Sequence, residues 1–133
     1  VQIHQRILVV DDHPCFRHLL RTFLEHNPNW EVCGEASDGC EAVAKTTELH
    51  PDIVLMDLDM PRLNGLDATR QIHEHSPSVR ILILTLHDSS MLPQIAQSSG
   101  AQGYVLKSEP LAVLTRAIET VGHSDQFFVS PKQ

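Results

Sequence analysis

The sequence predicts an α/β domain of the doubly wound kind: a parallel five-stranded sheet with helices on both faces. Three observations predict it. Five short apolar runs recur along the chain, helix-period stretches separate them, and the connections between the two are short. The runs lie at Ile7–Val10, Glu31–Ala36, Ile53–Met56, Ile81–Leu84 and Gly103–Leu106. The third, "IVLM", has no polar alternation, which suits a strand covered on both sides. The 133 residues fit one domain, and with 41% hydrophobic but only 5% aromatic residues its core is mainly aliphatic.

Each element carries its own signal. After the first strand, Phe16, Leu19, Leu20, Phe23 and Leu24 follow the i, i+3, i+4, i+7, i+8 rule of a half-buried helix. Pro14 suits its first turn, where a missing N–H costs nothing. Cys33 falls in the second strand as a small core residue. Asp38, with Glu41 three residues on, resembles a capping box for the second helix. Met60, Pro61, Asn64 and Gly65 tighten the loop after the third strand. Asp88, Ser89 or Ser90 is expected to cap the fourth helix, with Pro93 in its first turn. Gly100 and Gly103 bracket the turn into the fifth strand. Ser108 before Pro110 suits the start of the fifth helix, whose apolar stripe is Leu111, Leu114, Ile118 and Val121. The domain is expected over residues 4–123. Residues 124–133 read as the start of a linker, with Phe127 and Phe128 either packed back on the domain or docked elsewhere.

The balance of charge narrows the partners. A net charge of −7 repels phosphate backbones, so direct nucleic-acid binding by this segment is not expected. No apolar run is long enough to cross a membrane, and no charged-then-apolar leader precedes the first strand. Cys15, Cys33 and Cys40 are odd in number and lack CxxC spacing, which suits reduced thiols; a cytoplasmic location is expected. The nine histidines are scattered and form no zinc-binding spacing.

In an open parallel sheet, ligands gather at the carboxyl ends of the strands. Here strand one ends at Asp11 and Asp12, strand three at Asp57, strand four at Thr85 and strand five at Lys107. Carboxylates so placed repel, by about 4 kcal/mol for a pair about 4 Å apart at an effective dielectric of about 20. Lys107 offsets part of this. A divalent cation would offset the remainder, and oxygen ligands favour Mg²⁺ (or Mn²⁺) over zinc. Mg²⁺ prefers one or two carboxylates plus phosphate oxygens, so the rim reads as a phosphoryl-handling site. A salt-bridged surface cluster would account for Lys107 with one Asp, but not for acids ending two separate apolar strands. Asp57, after the central strand, is the candidate nucleophile for an acyl phosphate, and Asp59 is expected to act mainly through its backbone carbonyl, turned toward the metal.

These motifs, "ILVVDDH", "VLMDLDMPRLNG", "ILILT" and "GAQGYVLK", resemble in order and spacing the receiver domain of bacterial two-component response regulators. The resemblance implies a flavodoxin-like, CheY-like (βα)5 fold with strand order 2-1-3-4-5. It also implies a phosphoacceptor, Asp57, loaded from a phosphohistidine on a sensor histidine kinase. By the same resemblance Asp12 binds Mg²⁺ directly, Asp11 assists through water, and Asp57 and the Asp59 carbonyl complete the set. Lys107 pairs with the phosphoryl oxygens, Thr85 hydrogen-bonds them, and Tyr104 turns inward in a two-state switch. Such a chain is not an enzyme in the ordinary sense, although it assists its own phosphorylation and dephosphorylation. "DDHPCFRHLLRTFLE", "GEASDGCEAV", "GLDATRQI", "GAQGYVLKSEP" and the late "VSP" resemble the NarL/FixJ branch, in which a LuxR-type helix-turn-helix domain follows the receiver. That implies transcription regulation through a DNA-binding domain absent from this chain, with a homodimer on phosphorylation. Leu86 stands where the family often has a smaller residue. With His87 and Asp59 it is a candidate for tuning the life of the phosphoryl group.

Other classes fit less well. A haloacid-dehalogenase-type phosphohydrolase also places Asp-x-Asp after an apolar strand, but here Met60–Pro61 follow and a separate Asp11–Asp12 pair lies upstream. The intact acid set argues against a phosphate-independent receiver. Flavin binding lacks a phosphate loop after the first strand. A stand-alone receiver acting by protein contact is the alternative to a DNA-binding output.

Overall fold

The computed structural model describes residues 5–128. Five βα units follow one another: β1 (Gln5–Val10), α1 (Pro14–Glu25), β2 (Trp30–Ala36), α2 (Gly39–Leu49), β3 (Ile53–Met56), α3 (Gly65–His75), β4 (Arg80–Thr85), α4 (Leu92–Ser98), β5 (Gly103–Leu106) and α5 (Leu111–Gly122). All four strand pairs are parallel, and the sheet order is β2-β1-β3-β4-β5, as expected. Strand order reverses between β1 and β3, so the crevice at their carboxyl ends is where a ligand is accommodated.

Alternation along each central strand divides the core into two layers. Leu8, Val10, Val54, Met56, Ile81 and Ile83 face α2, α3 and α4 through Ala42, Ala68, Ile72 and Ala96. Ile7, Val9, Ile53, Leu55, Leu82 and Leu84 face α1 and α5 through Leu20, Leu24, Leu114 and Ile118. Because both faces are covered, the strands read as continuous apolar runs.

The helix starts follow the sequence in part. Pro14 opens α1, and the Asp38 side chain caps α2 by accepting the Glu41 N–H (2.8 Å). Asn64 caps α3 by accepting the Asp67 N–H (3.0 Å). The fourth helix differs from expectation: its N-cap is Met91, which makes no side-chain cap hydrogen bond. Pro93 takes the second helical position and, three residues after Ser90, offers no N–H for a Ser90 cap to accept. Ser89 instead accepts from the Met91 N–H (3.2 Å) in the turn before. Nor does Ser108 cap α5. Pro110 is the N-cap, and Ser108 lies upstream in a turn closed by the Glu109 N–H on the Leu106 carbonyl (3.0 Å).

After α5 the chain folds back. Phe127 donates its N–H to the Gln102 carbonyl (2.9 Å) and accepts the Tyr104 N–H (3.0 Å), bridging to the free edge of β5. Phe127 packs against the α1/α5 layer and Phe128 against the other, its ring 6.4 Å from that of Tyr104. Of the two fates expected for this pair, the first is observed. His4 and "VSP" lie outside the described residues.

Candidate functional site

Backbone bonds between strand ends build the rim. The Asp11 N–H donates to the Ala36 carbonyl and the Asp57 N–H to the Val10 carbonyl, each at 3.0 Å, while the Lys107 N–H donates to the Thr85 carbonyl at 2.7 Å. The sheet's own hydrogen bonding thus fixes the positions where Asp11, Asp57, Thr85 and Lys107 leave it. Asp11, Asp57 and Thr85 are buried; Asp12 and Lys107 are partly so.

Asp11, Asp12 and Asp57 each offer a carboxylate oxygen within 4.8 Å of the others. Lys107 Nζ lies 2.6 Å from Asp11 Oδ2 and 3.4 Å from Asp57 Oδ1. The other Asp11 oxygen accepts the His13 N–H (2.9 Å). Asp12 Oδ1 is buried without a hydrogen-bond partner; His13 Nε2, at 3.9 Å, is too far to supply one. An orphaned carboxylate oxygen within a cluster of three acids is compatible with a site for a hard divalent cation. Burial, and then the charge of Asp11, push the Asp57 carboxyl up to about 6 against the opposing pull of Lys107, with Asp12 a smaller upward influence.

The remaining expected residues fall into two groups. Thr85 is at the rim, its Oγ1 accepting the His87 N–H (3.2 Å). Tyr104 is buried on the α4 side of the sheet, and burial pushes its hydroxyl pKa up. Asp59 and His87 face each other from the β3–α3 and β4–α4 loops, with Asp59 Oδ2 in contact with His87 Nε2. Both side chains are about two-thirds exposed, at 68% and 67%. Leu86 projects into solvent, 69% exposed.

Sequence reasoning missed two neighbours of the site. The Phe16 ring lies 4.5 Å from Lys107 Nζ, beneath the ammonium. In the sequence Phe16 is one member of an apolar helix stripe, and nothing marks it as the lysine's neighbour. Arg62 pairs with Asp38, tying the loop after Asp57 to the start of α2.

Residues 7–119 match the family described as response regulator receiver domain. The chain is 40% identical over 122 residues to the transcriptional regulatory protein LiaR of Bacillus subtilis (strain 168), covering 90% of this chain and 57% of that protein. It is 34% identical over 127 residues to the transcriptional regulatory protein DegU of Brevibacillus brevis, covering 96% of this chain and 53% of that one. The chain therefore spans little more than half the length of these curated relatives. Among solved structures, a LuxR-family two-component response regulator from Aurantimonas sp. SI85-9A1 superposes with a TM-score of 0.91 at 41% identity, covering 96% of this chain and 91% of that one.

Proposed function

The chain belongs to the response regulator receiver domain family, and from that premise we propose that Asp57 accepts a phosphoryl group from a phosphohistidine of a sensor histidine kinase. A carboxylate oxygen of Asp57 forms the new bond to phosphorus as the P–N bond to the donor imidazole breaks. The electron pair leaves with the imidazole, which takes up a proton, and an acyl phosphate remains. The observation that carries this reading is the placement of Asp57: buried at the end of the central strand, beside Lys107 Nζ, and within reach of two further carboxylates.

Asp11, Asp12 and Asp57, with the Asp59 carbonyl, would hold Mg²⁺ (or Mn²⁺). When bound, that ion neutralises charge on the carboxylates and on the transferring group. The chain's own groups do the remaining work. Lys107 supplies an ammonium at the rim, Thr85 supplies a hydroxyl for the new phosphoryl oxygens, and Tyr104 follows Thr85 as the switch. Asp59, Leu86 and His87 flank the path to Asp57 and set how quickly water reaches it.

Residues 4–123 form the receiver unit in this reading, and 124–133 begin the linker to a LuxR-type helix-turn-helix domain, so that phosphorylation controls transcription. The length of LiaR and DegU beyond the matched part supports it. Homodimerisation on phosphorylation and a cytoplasmic location belong to the same reading; no helix among the described residues is long and apolar enough to cross a membrane.

The test is an intact mass after incubation with acetyl phosphate and Mg²⁺. One phosphoryl adduct is expected; it requires the metal and vanishes in Asp57→Asn. A folded chain that takes no phosphoryl group from acetyl phosphate or a phosphohistidine donor overturns the proposal.

A further inference from the structure

Arg62 has no place in the chemistry above, yet it is one of three non-glycine residues among those described with positive φ (67°). The Leu63 N–H donates to the Pro61 carbonyl across it (2.9 Å), closing a three-residue turn with Arg62 at its centre. A γ-turn with positive φ at its centre is rare and strained. Such a conformation persists where the surroundings hold it, and three contacts do so here. The Arg62 guanidinium pairs with Asp38, whose side chain is 8% exposed. The Gly39 N–H donates to the Leu63 carbonyl (3.0 Å). The backbone approach there is so close that a Cβ on Gly39 would lie 2.1 Å from that oxygen. At its far end the loop closes on itself, the Gly65 N–H donating to the Leu58 carbonyl (3.0 Å).

Resting on the proposed phosphoryl site, we propose that Arg62 is a positioning residue: its clasp on Asp38 anchors the Leu58–Gly65 loop to the start of α2 and so fixes the Asp59 carbonyl for the divalent cation. Asp38 serves two elements at once, accepting the Glu41 N–H with one oxygen and Arg62 with the other. The clasp therefore joins the metal-facing loop to a helix that contributes none of the acids.

For Arg62→Ala, electrostatics and positioning predict opposite signs, which makes the idea testable; the double variant separates the pair from its two charges. Removing a positive charge from the neighbourhood of three carboxylates should tighten cation binding by simple Coulomb attraction. Releasing the loop should weaken it. The measurement is Mg²⁺ affinity by isothermal titration calorimetry, without phosphodonor, for the wild type, Arg62→Ala, Arg62→Lys, Asp38→Asn and the Arg62→Ala/Asp38→Asn double variant, with melting temperatures alongside. Asn still caps α2, so Asp38→Asn removes the pair and keeps the helix start. The expected result is a fivefold to tenfold rise in Kd for Arg62→Ala and for Asp38→Asn, no further rise in the double variant, partial rescue by Lys, and melting temperatures within a few degrees. Unchanged or tighter binding by Arg62→Ala overturns the clasp alone, as does additivity in the double variant. A wild-type chain that binds no Mg²⁺ overturns both the clasp and the site on which it rests.

Discussion

Lys107 is held more closely by Asp11 than by Asp57: its Nζ is 2.6 Å from the first carboxylate and 3.4 Å from the second. Asp11 also accepts a backbone N–H, whereas Asp57 is left buried with its nearest cation largely committed elsewhere. That inequality is why burial prevails at Asp57 and raises its pKa from 3.8 to about 6. If Asp57 accepts a phosphoryl group as proposed, a carboxylate stabilised fully by Lys107 would be the poorer nucleophile, and at 3.4 Å the ammonium is near enough to meet that group without pairing fully with the attacking oxygen.

The first prediction is a pH-dependent stability cost. Because the folded-state pKa of Asp57 lies above its unfolded value, the folded chain holds a proton between about pH 4 and pH 6 that the unfolded chain releases. Stability therefore falls as pH rises through that window, and the cost is complete above it. Asp57→Asn removes the term. Without divalent ions the variant should exceed the wild type by about 1–3 kcal/mol at pH 7.5 and lose that advantage by pH 4. Urea unfolding at both pH values decides it, and a variant no more stable at pH 7.5 refutes it.

The second prediction concerns the other partner of the lysine. Asp11 is 1% exposed, so Lys107→Met leaves a buried charge unpaired. A loss of about 3–5 kcal/mol is expected, with part of it recovered when Mg²⁺ is added. Thermal melts with and without the metal test this. A variant as stable as the wild type would mean that Asp11 has no need of Lys107.

Much of this was legible in the sequence because it depends on local pattern. A strand covered on both faces must be apolar throughout, so "IVLM" announces itself, and the rim residues stand out as the first polar groups after such runs. The grouping of Asp11, Asp12 and Asp57 is recovered for the same reason; the strand order has no local signature and followed only from the family resemblance. The uneven sharing of Lys107 was not legible: it is set by fractions of an ångström between residues 96 positions apart in sequence. Arg62 was hidden similarly, since its φ and its Asp38 partner have no one-dimensional signature. The start of α4 differs from expectation because several residues before it are chemically suited to capping, and local pattern does not choose among them.

The third prediction separates two glycines. A Cβ on Gly65 would lie 2.1 Å from the Asp57 carbonyl oxygen and 2.8 Å from Leu58 Cα, both backbone. Neither yields without shifting Asp57 itself. Gly65→Ala is expected to cost at least about 2 kcal/mol and to weaken phosphoryl acceptance. Gly122, the last residue of α5, meets only the flexible end of Gln5, at 2.9 Å. Gly122→Ala should change stability by no more than about 1 kcal/mol, in either direction. Equal costs for the two substitutions in chemical denaturation would contradict the argument from close approach.

The fourth prediction turns on Asp59 and His87, which touch across the loops above Asp57. As an exposed pair they contribute little to stability, so their removal should leave the melting temperature within a degree or two. Their effect should instead be kinetic, because the contact lies beside Thr85, whose hydroxyl accepts the His87 N–H. With the side-chain contact gone, the β4–α4 loop is freer and water reaches the acyl phosphate more readily. His87→Ala and Asp59→Ala are each expected to shorten the phosphoryl lifetime severalfold, and the double variant no further than either. Leu86→Ala, which removes an exposed apolar cover from the same loop, should shorten it independently and add to them. The measurement is loss of the adduct mass with time after the phosphodonor is removed. Identical lifetimes for wild type and Leu86→Ala exclude that residue from rate control, and an additive Asp59/His87 pair means that the two loops act on Asp57 separately.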